Sequence, residues 1–229
     1  MIQIEILASS SSGNAYIVRD GTQSVLIDPG VPYRDLQKRS NFTLSRLDFA
    51  LLSHEHKDHS KAIKDLIKRG LSCIMSQGTA AALNLDHPHI YLTRSEAQFE
   101  CDGWQILSFE TVHDAAEPLG FLIKSPSGAK ICYATDTCYI KYIFSGVTHW
   151  LIECNHSREL LRENKDLPQS TKDRISASHF ELANVKAFFK AQDLSKTERV
   201  HIIHLSEDNA DPSLFKKEIE AVIGLPTYV

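Results

Sequence analysis

His54-Glu55-His56-Lys57-Asp58-His59 packs four potential metal ligands into six residues, just after the apolar run Phe49-Ala50-Leu51-Leu52. In extended backbone, side chains two positions apart point the same way, so His54, His56 and Asp58 can converge on one side. His59 then opens an amphipathic helical pattern and can approach from another direction. Neutral imidazoles and a carboxylate are the ligand types that a borderline cation such as zinc prefers. A solvated polar loop is the bland alternative. Three histidines and an aspartate at this spacing argue against it.

Around this motif the chain has the size of a globular enzyme. Its 229 residues, 42% of them apolar, suffice for a full core, and one domain over residues 1–229 is the simplest expectation. No apolar run reaches the ~18 residues that a spanning helix needs, so no membrane segment is expected. Met1-Ile2-Gln3-Ile4-Glu5-Ile6-Leu7 alternates like a strand and has no basic leader, so it is not a signal peptide. The five cysteines (Cys73, Cys101, Cys132, Cys138, Cys154) include no C-x-x-C pair and read as core or near-core thiols, which points to the cytoplasm. The net charge of −4 excludes a globally basic nucleic-acid binder but leaves room for a local basic face.

Period-two patterns and turn signals predict strands at 2–7, 15–19, 24–28, 47–53, 71–75, 89–92, 104–111, 119–124, 130–135, 148–153 and 200–205. Helices are expected at 60–69 (stopped by Gly70), 78–83, 156–164, from about His179 onward, and at 211–223. The alternation suggests two sheets packed face to face with helices outside, an α/β sandwich. Three later residues each follow an apolar strand-like run: His113, Asp136 and His204. Any one of them alone is best read as a hydrogen-bonded loop residue. Joined to the first cluster, they complete a two-metal ligand set.

Taken in order, His54-x-His56-x-Asp58-His59, His113, Asp136 and His204 resemble the metallo-β-lactamase fold superfamily. The stretches Leu7–Asn14, Leu26-Ile27-Asp28-Pro29-Gly30, His113-Asp114 with Glu117–Phe121, and Glu153-Cys154-Asn155-His156 are similar to its YycJ/WalJ branch. The resemblance implies an αββα sandwich of two mixed sheets with helices on the outer faces. It also implies that His54, His56 and His113 hold one divalent ion, that Asp58, His59 and His204 hold another, and that Asp136 bridges them. Zinc suits these ligands, and manganese or iron could use them. Such a pair shares a hydroxide whose parent water has a pKa of about 7. The chain departs from the pattern in two places. Ser60-Lys61-Ala62-Ile63 stands where a glycine is common after the motif, and Ser178-His179-Phe180-Glu181-Leu182 stands where the branch carries Gly-His-Leu-Ser-Asn.

In phosphodiesterases of this superfamily resembling RNase Z, a histidine at the place of His179 protonates the leaving oxygen. That resemblance makes His179 the candidate general acid, oriented by Glu153 or His156. Asp58 and Glu153 complete the candidate catalytic residues. Read from the residues alone, His179 simply opens the next helix. Lys57, Lys61, Lys64 and Lys68 form a helical stripe, and Arg158, Arg162, Lys165, Lys172 and Arg174 precede His179. Each group is either a solvated face or a track for a phosphate backbone. The leading expectation is a dimetal phosphodiesterase acting on nucleic acid. The alternatives are a hydrolase of a small ester, thioester or lactone, and a catalytically silent metal-binding regulatory module. A di-iron oxidoreductase is disfavoured, because those relatives replace the second motif histidine by glutamate and His56 stands here.

Overall fold

A computed structural model describes residues 2–229, so Met1 at the head of the expected first strand lies outside the described residues. The strands fall into two mixed sheets, of six and seven strands among the described residues. Backbone contacts divide the chain into two compact units: Met1–Glu110 with Ala115–Phe121 and Ser125–Gly128, and Thr111–Asp114 with Leu122–Lys124 and Ala129–Val229.

In the first unit β1 (Ile2–Ser10), β2 (Gly13–Asp20) and β3 (Gln23–Ile27) form an antiparallel meander. Gly21 turns between the last two with φ +62°, a conformation that a Cβ disfavours. After α1 (Tyr33–Arg39), strand β4 (Phe49–Leu51) lies parallel to β3. Helices α2 (Lys57–Ser60) and α3 (Ile63–Lys68) then lead to β5 (Ser72–Ser76), and α4 (Gln77–Ala82) leads to β6 (Ile90–Thr93). Strands β4, β5 and β6 continue the parallel ladder. Helical crossovers of this kind are how parallel neighbours are joined. Leu36, Ile63, Leu66, Ile67 and Ala80 from the helices pack with Ile17, Leu26, Ala50, Cys73 and Met75 from the strands in one buried cluster. The hairpin β7 (Gln98–Cys101) and β8 (Trp104–Glu110) follows, and β9 (Leu119–Lys124) leads onward in the chain.

In the second unit β10 (Lys130–Ala134), β11 (His149–Glu153), β12 (Arg199–Ile203) and β13 (Thr227–Tyr228) are parallel neighbours. Between them run α5 (Arg158–Glu163), α6 (Gln169–Ser178), α7 (Leu182–Ala191) and α8 (Pro212–Ile223). Trp150 on β11 meets Phe188 and Phe189 of α7 edge-on, at ring-centroid distances of 5.8 and 5.7 Å. Asp211 caps α8 by accepting from Ser213 N and Leu214 N, with Pro212 as its first residue and Gly224 in the left-handed conformation at its end.

Several sequence expectations shift. The helix expected at 60–69 is two pieces separated at Lys61–Ala62, so Lys57 and Lys64 sit on different helices and the lysine stripe is not one continuous face. The expected helix start near His179 is instead the end of α6, a polar helix whose pattern has no apolar stripe to reveal it; α7 begins at Leu182. The short strands β7 and β13 and helix α1 also went unmarked in the sequence.

His201 on β12 is buried, and neither ring nitrogen has a partner among the described residues. Burial, aided by the nearby charges of His149 and Arg199, pushes its pKa down to about 4, and burial likewise lowers that of His149. The unfolded chain therefore takes up these protons first, near pH 6.5, so stability is complete above that pH and is lost as pH falls towards 4. Each unit of depression corresponds to about 1.4 kcal/mol. His201→Phe should lose less stability between pH 7.5 and pH 5 than the wild type in urea unfolding. An identical acid loss in the two proteins would contradict this origin.

Candidate metal centre

The first unit presents the motif histidines from the end of β4, braced by a carboxylate from the end of β3. Asp28 follows β3 in the left-handed conformation, φ 52°, and is fully buried. Its Oδ1 accepts from Ser53 N at 2.8 Å, and its Oδ2 accepts from Ser53 Oγ at 2.7 Å and from His59 Nδ1 at 2.8 Å. Ser53 has spent its only hydroxyl proton on Asp28, so at 3.0 Å it must accept from His54 Nδ1. Both imidazoles are thereby fixed with the proton on Nδ1 and the lone pair on Nε2, the tautomer a metal ligand needs. The His54 ring centroid lies 4.7 Å from that of His56 and 4.3 Å from that of His59. His59 Nε2 lies 3.2 Å from Asp58 Oδ2. Glu55 turns away, its Oε1 accepting from Ala116 N at 2.7 Å, so the motif's other carboxylate serves the backbone.

Besides Asp28 and Ser53, two further residues outside the expected set brace this cluster. Asn14 is buried, and its Nδ2 reaches Asp58 Oδ2 at 3.4 Å and His59 Nε2 at 3.2 Å. Gly30 passes so close to the Asp58 carbonyl that a Cβ there would collide with it, and would also stand 2.7 Å from Asn14 O. The Asp28-Pro29-Gly30 and Ser-rich Asn14 segments are those quoted above for their resemblance. What the sequence concealed was that they support the site rather than only the fold.

In the second unit His113, Asp136 and His204 each come just after a strand, whereas Glu153 is the last residue of β11 and His179 caps the end of α6. His113 comes after β8; its Nδ1 donates to Ser178 O at 2.9 Å, which again leaves the lone pair on Nε2. That atom lies 3.3 Å from Asp136 Oδ2 and 3.4 Å from Asp114 Oδ1. Burial lowers the His113 pKa against the pull of Asp136, so the ring stays neutral and confronts the carboxylates acceptor to acceptor. Asp136 and His204 follow β10 and β12 with φ of 44° and 55°, left-handed conformations that cost side-chain-bearing residues about 1–3 kcal/mol. Asp136, Glu153, His179 and His204 each offer a ligand atom within 4.8 Å of the others.

Glu153 is separated from that group by its own bonding. It is fully buried. Its Oε1 accepts from His179 Nδ1 at 2.6 Å and His204 Nδ1 at 2.9 Å, and its Oε2 accepts from Thr137 N at 2.9 Å and Phe180 N at 3.1 Å. Four hydrogen bonds use its capacity as an acceptor, which makes it a brace for two histidines. Burial alone would raise its pKa, but the charge of His179 and the hydrogen bonds from His179 and His204 hold it well down. The His179 pKa moves the opposite way. Burial would lower it, and the Glu153 charge and hydrogen bond outweigh that and raise it. The His179 side chain remains 18% exposed, and its ring stacks on His204 at 5.5 Å between centroids. Of the two orienting residues expected for His179, Glu153 makes the bond. His156 is buried and connects through its backbone carbonyl to Leu182 N.

The chemistry of these donors fits divalent cations. Neutral imidazole lone pairs facing carboxylate oxygens, as at His59–Asp58 and His113–Asp136, repel unless a cation lies between them. The carboxylates and backbone acceptors behind the rings are the usual outer support of metal-bound histidine.

Residues 23–205 match the family model described as the beta-lactamase superfamily domain. Over 97% of its length the chain is 26% identical to a Bacillus anthracis protein named exodeoxyribonuclease YycJ, covering 89% of that protein. It is likewise 26% identical to exodeoxyribonuclease WalJ of Streptococcus pneumoniae, over 89% of this chain and 81% of the relative. Among solved structures, the metallo-β-lactamase fold protein YhfI of Bacillus subtilis superposes with a TM-score of 0.77 at 15% identity, covering all of this chain and 97% of that one. The chain thus has the metallo-β-lactamase fold, with clustered donors that could hold metal ions. The chain belongs to the beta-lactamase superfamily.

Gly30→Ala should displace the Asp58 backbone, lowering the unfolding midpoint and reducing bound metal measured by elemental analysis of the reconstituted protein. Wild-type metal content at a wild-type midpoint would show that this close approach is dispensable.

Proposed function

We propose that the chain is a dinuclear metal-dependent phosphodiesterase that cleaves nucleic acid, with residues 1–229 acting as one functional domain. The observation that carries the reading is the pairing of buried Glu153 with the partly exposed His179, beside Asp136 and His204. A thioester hydrolase, whose thiolate departs unprotonated, has little use for a proton-donating histidine, whereas an ester or lactone also expels an alkoxide and is disfavoured by the names of the relatives instead. Expulsion of a sugar alkoxide from phosphorus needs a proton, and His179 is built to give one. The names of the two exodeoxyribonuclease relatives support the same substrate class.

In this reading His54, His56 and His113 would hold one ion and Asp58, His59 and His204 the other, and Asp136 could serve both. Zinc suits the ligands, with manganese or iron as alternatives. Two such ions supply Lewis acidity and an acidified water at neutral pH. Asp58 also orients the attacking water through its carboxylate. Glu153 is a positioning residue that keeps His179 protonated and aimed. The cations of α5 and α6, including Arg174 beside Asp114 at 3.7 Å, offer charge to a phosphate backbone. No helix among the described residues is long and apolar enough to cross a membrane. With its five free cysteines, the protein is assigned to the cytoplasm in this proposal.

Metal-loaded protein should shorten single- or double-stranded DNA or RNA while leaving a panel of lactones and thioesters intact. Turnover confined to the lactones or thioesters would contradict the proposal.

A further inference from the structure

Beside the Glu153–His179 pair, wholly within the second unit, lies a groove of about 430 Å³ whose lining includes Cys138, Tyr139, Ile143, Phe180, Asn184 and Phe188. It adjoins the candidate centre at two points in the chain. Cys138 and Tyr139 come two and three residues after Asp136, and Phe180 directly follows His179. Tyr139 stands at its rim, 60% exposed, and Ile143 (73%) and Val112 (45%) expose further apolar surface nearby in sequence or bonding. Its backbone is not loose. Thr137 Oγ1 donates to Tyr139 O at 2.8 Å and accepts from Val112 N at 2.9 Å, and Thr137 N donates to Glu153 Oε2 at 2.9 Å. The carboxylate that orients His179 therefore also anchors the turn carrying this aromatic ring.

Charge lies close by. Val112, His113 and Asp114 are consecutive; the first is tied to the Tyr139 turn, and the last lies 3.7 Å from the Arg174 guanidinium. Lys141 places its ammonium 5.1 Å from the Tyr142 ring centroid. An exposed aromatic ring on a rigid support, an apolar groove and flanking cations match the needs of an unpaired nucleotide. Its base offers a flat apolar face and its phosphate a negative charge. A base inside a duplex has both faces covered by its neighbours and cannot use such a platform.

Building on the phosphodiesterase reading, we infer that Tyr139 stacks against an unpaired nucleobase adjoining the phosphodiester to be cut. The substrate is thus a nucleic-acid strand that is unpaired at the point of cleavage. Asn184, exposed in the same groove, supplies an amide to the edge of that base.

The test uses metal-loaded protein and single-stranded oligonucleotides, protected by phosphorothioate linkages and carrying 2-aminopurine at one end or the other. The wild type should change the fluorescence of one end-label, and Tyr139→Ala should abolish that change and weaken binding about tenfold. Tyr139→Phe should behave as the wild type. Replacing the labelled nucleotide by an abasic one should weaken the wild type but not Tyr139→Ala, and on cleavable strands KM should rise with kcat nearly unchanged. If Tyr139→Ala binds and cleaves like the wild type, or suffers the same abasic penalty, the stacking role is wrong while the nuclease reading stands. If the wild type neither binds nor cleaves any nucleic acid, both fall.

Discussion

The carboxylate of Glu153 is the constraint on which the second unit's cluster of candidate residues depends. Buried without solvent contact, it accepts four hydrogen bonds: two from the backbone at Thr137 and Phe180 and two from the rings of His179 and His204. A buried charge is tolerable only when its acceptor sites are filled. Filling them ties the turn after β10, the end of β12 and the segment between α6 and α7 to one atom pair. Asp28 does the same in the first unit, holding Ser53 and His59 and, through Ser53, His54. His54, His59, His113 and His204 are thus presented with the proton on Nδ1, the tautomer that leaves Nε2 free for a cation.

The backbone supports this arrangement at a cost. Asp28, Asp136 and His204 all stand one or two residues past a strand end, in left-handed conformations that asparagine or glycine would occupy with less strain. The strands fix where each residue emerges. The sharp left-handed turn directs the chain away from the sheet. Functional residues therefore sit where the sheet is most rigid and the local conformation least comfortable, a distribution expected when selection is for ligand geometry rather than stability.

Much of this was legible in the chain. The alternation of apolar residues marked most strands and, with the resemblance, the two mixed sheets, because burial imposes its period directly on the sequence. The motif His54–His59 and the strand-end positions of His113, Asp136 and His204 were visible for the same reason: polar residues closing apolar runs. Three things stayed hidden. Helix α6 has only Ile175 and Ala177 among polar residues and carries no stripe, so the sequence reads His179 as the start of a helix, whereas it caps the end of one. The break at Lys61–Ala62 depends on Ala62 N donating to Pro29 O, a contact distant in sequence. The bracing roles of Asp28, Asn14 and Ser53 likewise arise from tertiary contacts that no local period encodes.

The proposed chemistry turns on whether His179 delivers a proton to a poor leaving group. The direct measurement compares wild type and His179→Ala on two phosphodiesters, one expelling p-nitrophenolate, which departs without protonation, and one expelling a sugar alkoxide from a DNA strand. The account predicts that the variant keeps nearly all activity on the nitrophenyl ester and loses about 100-fold or more on the strand, in line with the usual contribution of general acid catalysis. Equal losses on the two substrates would contradict it.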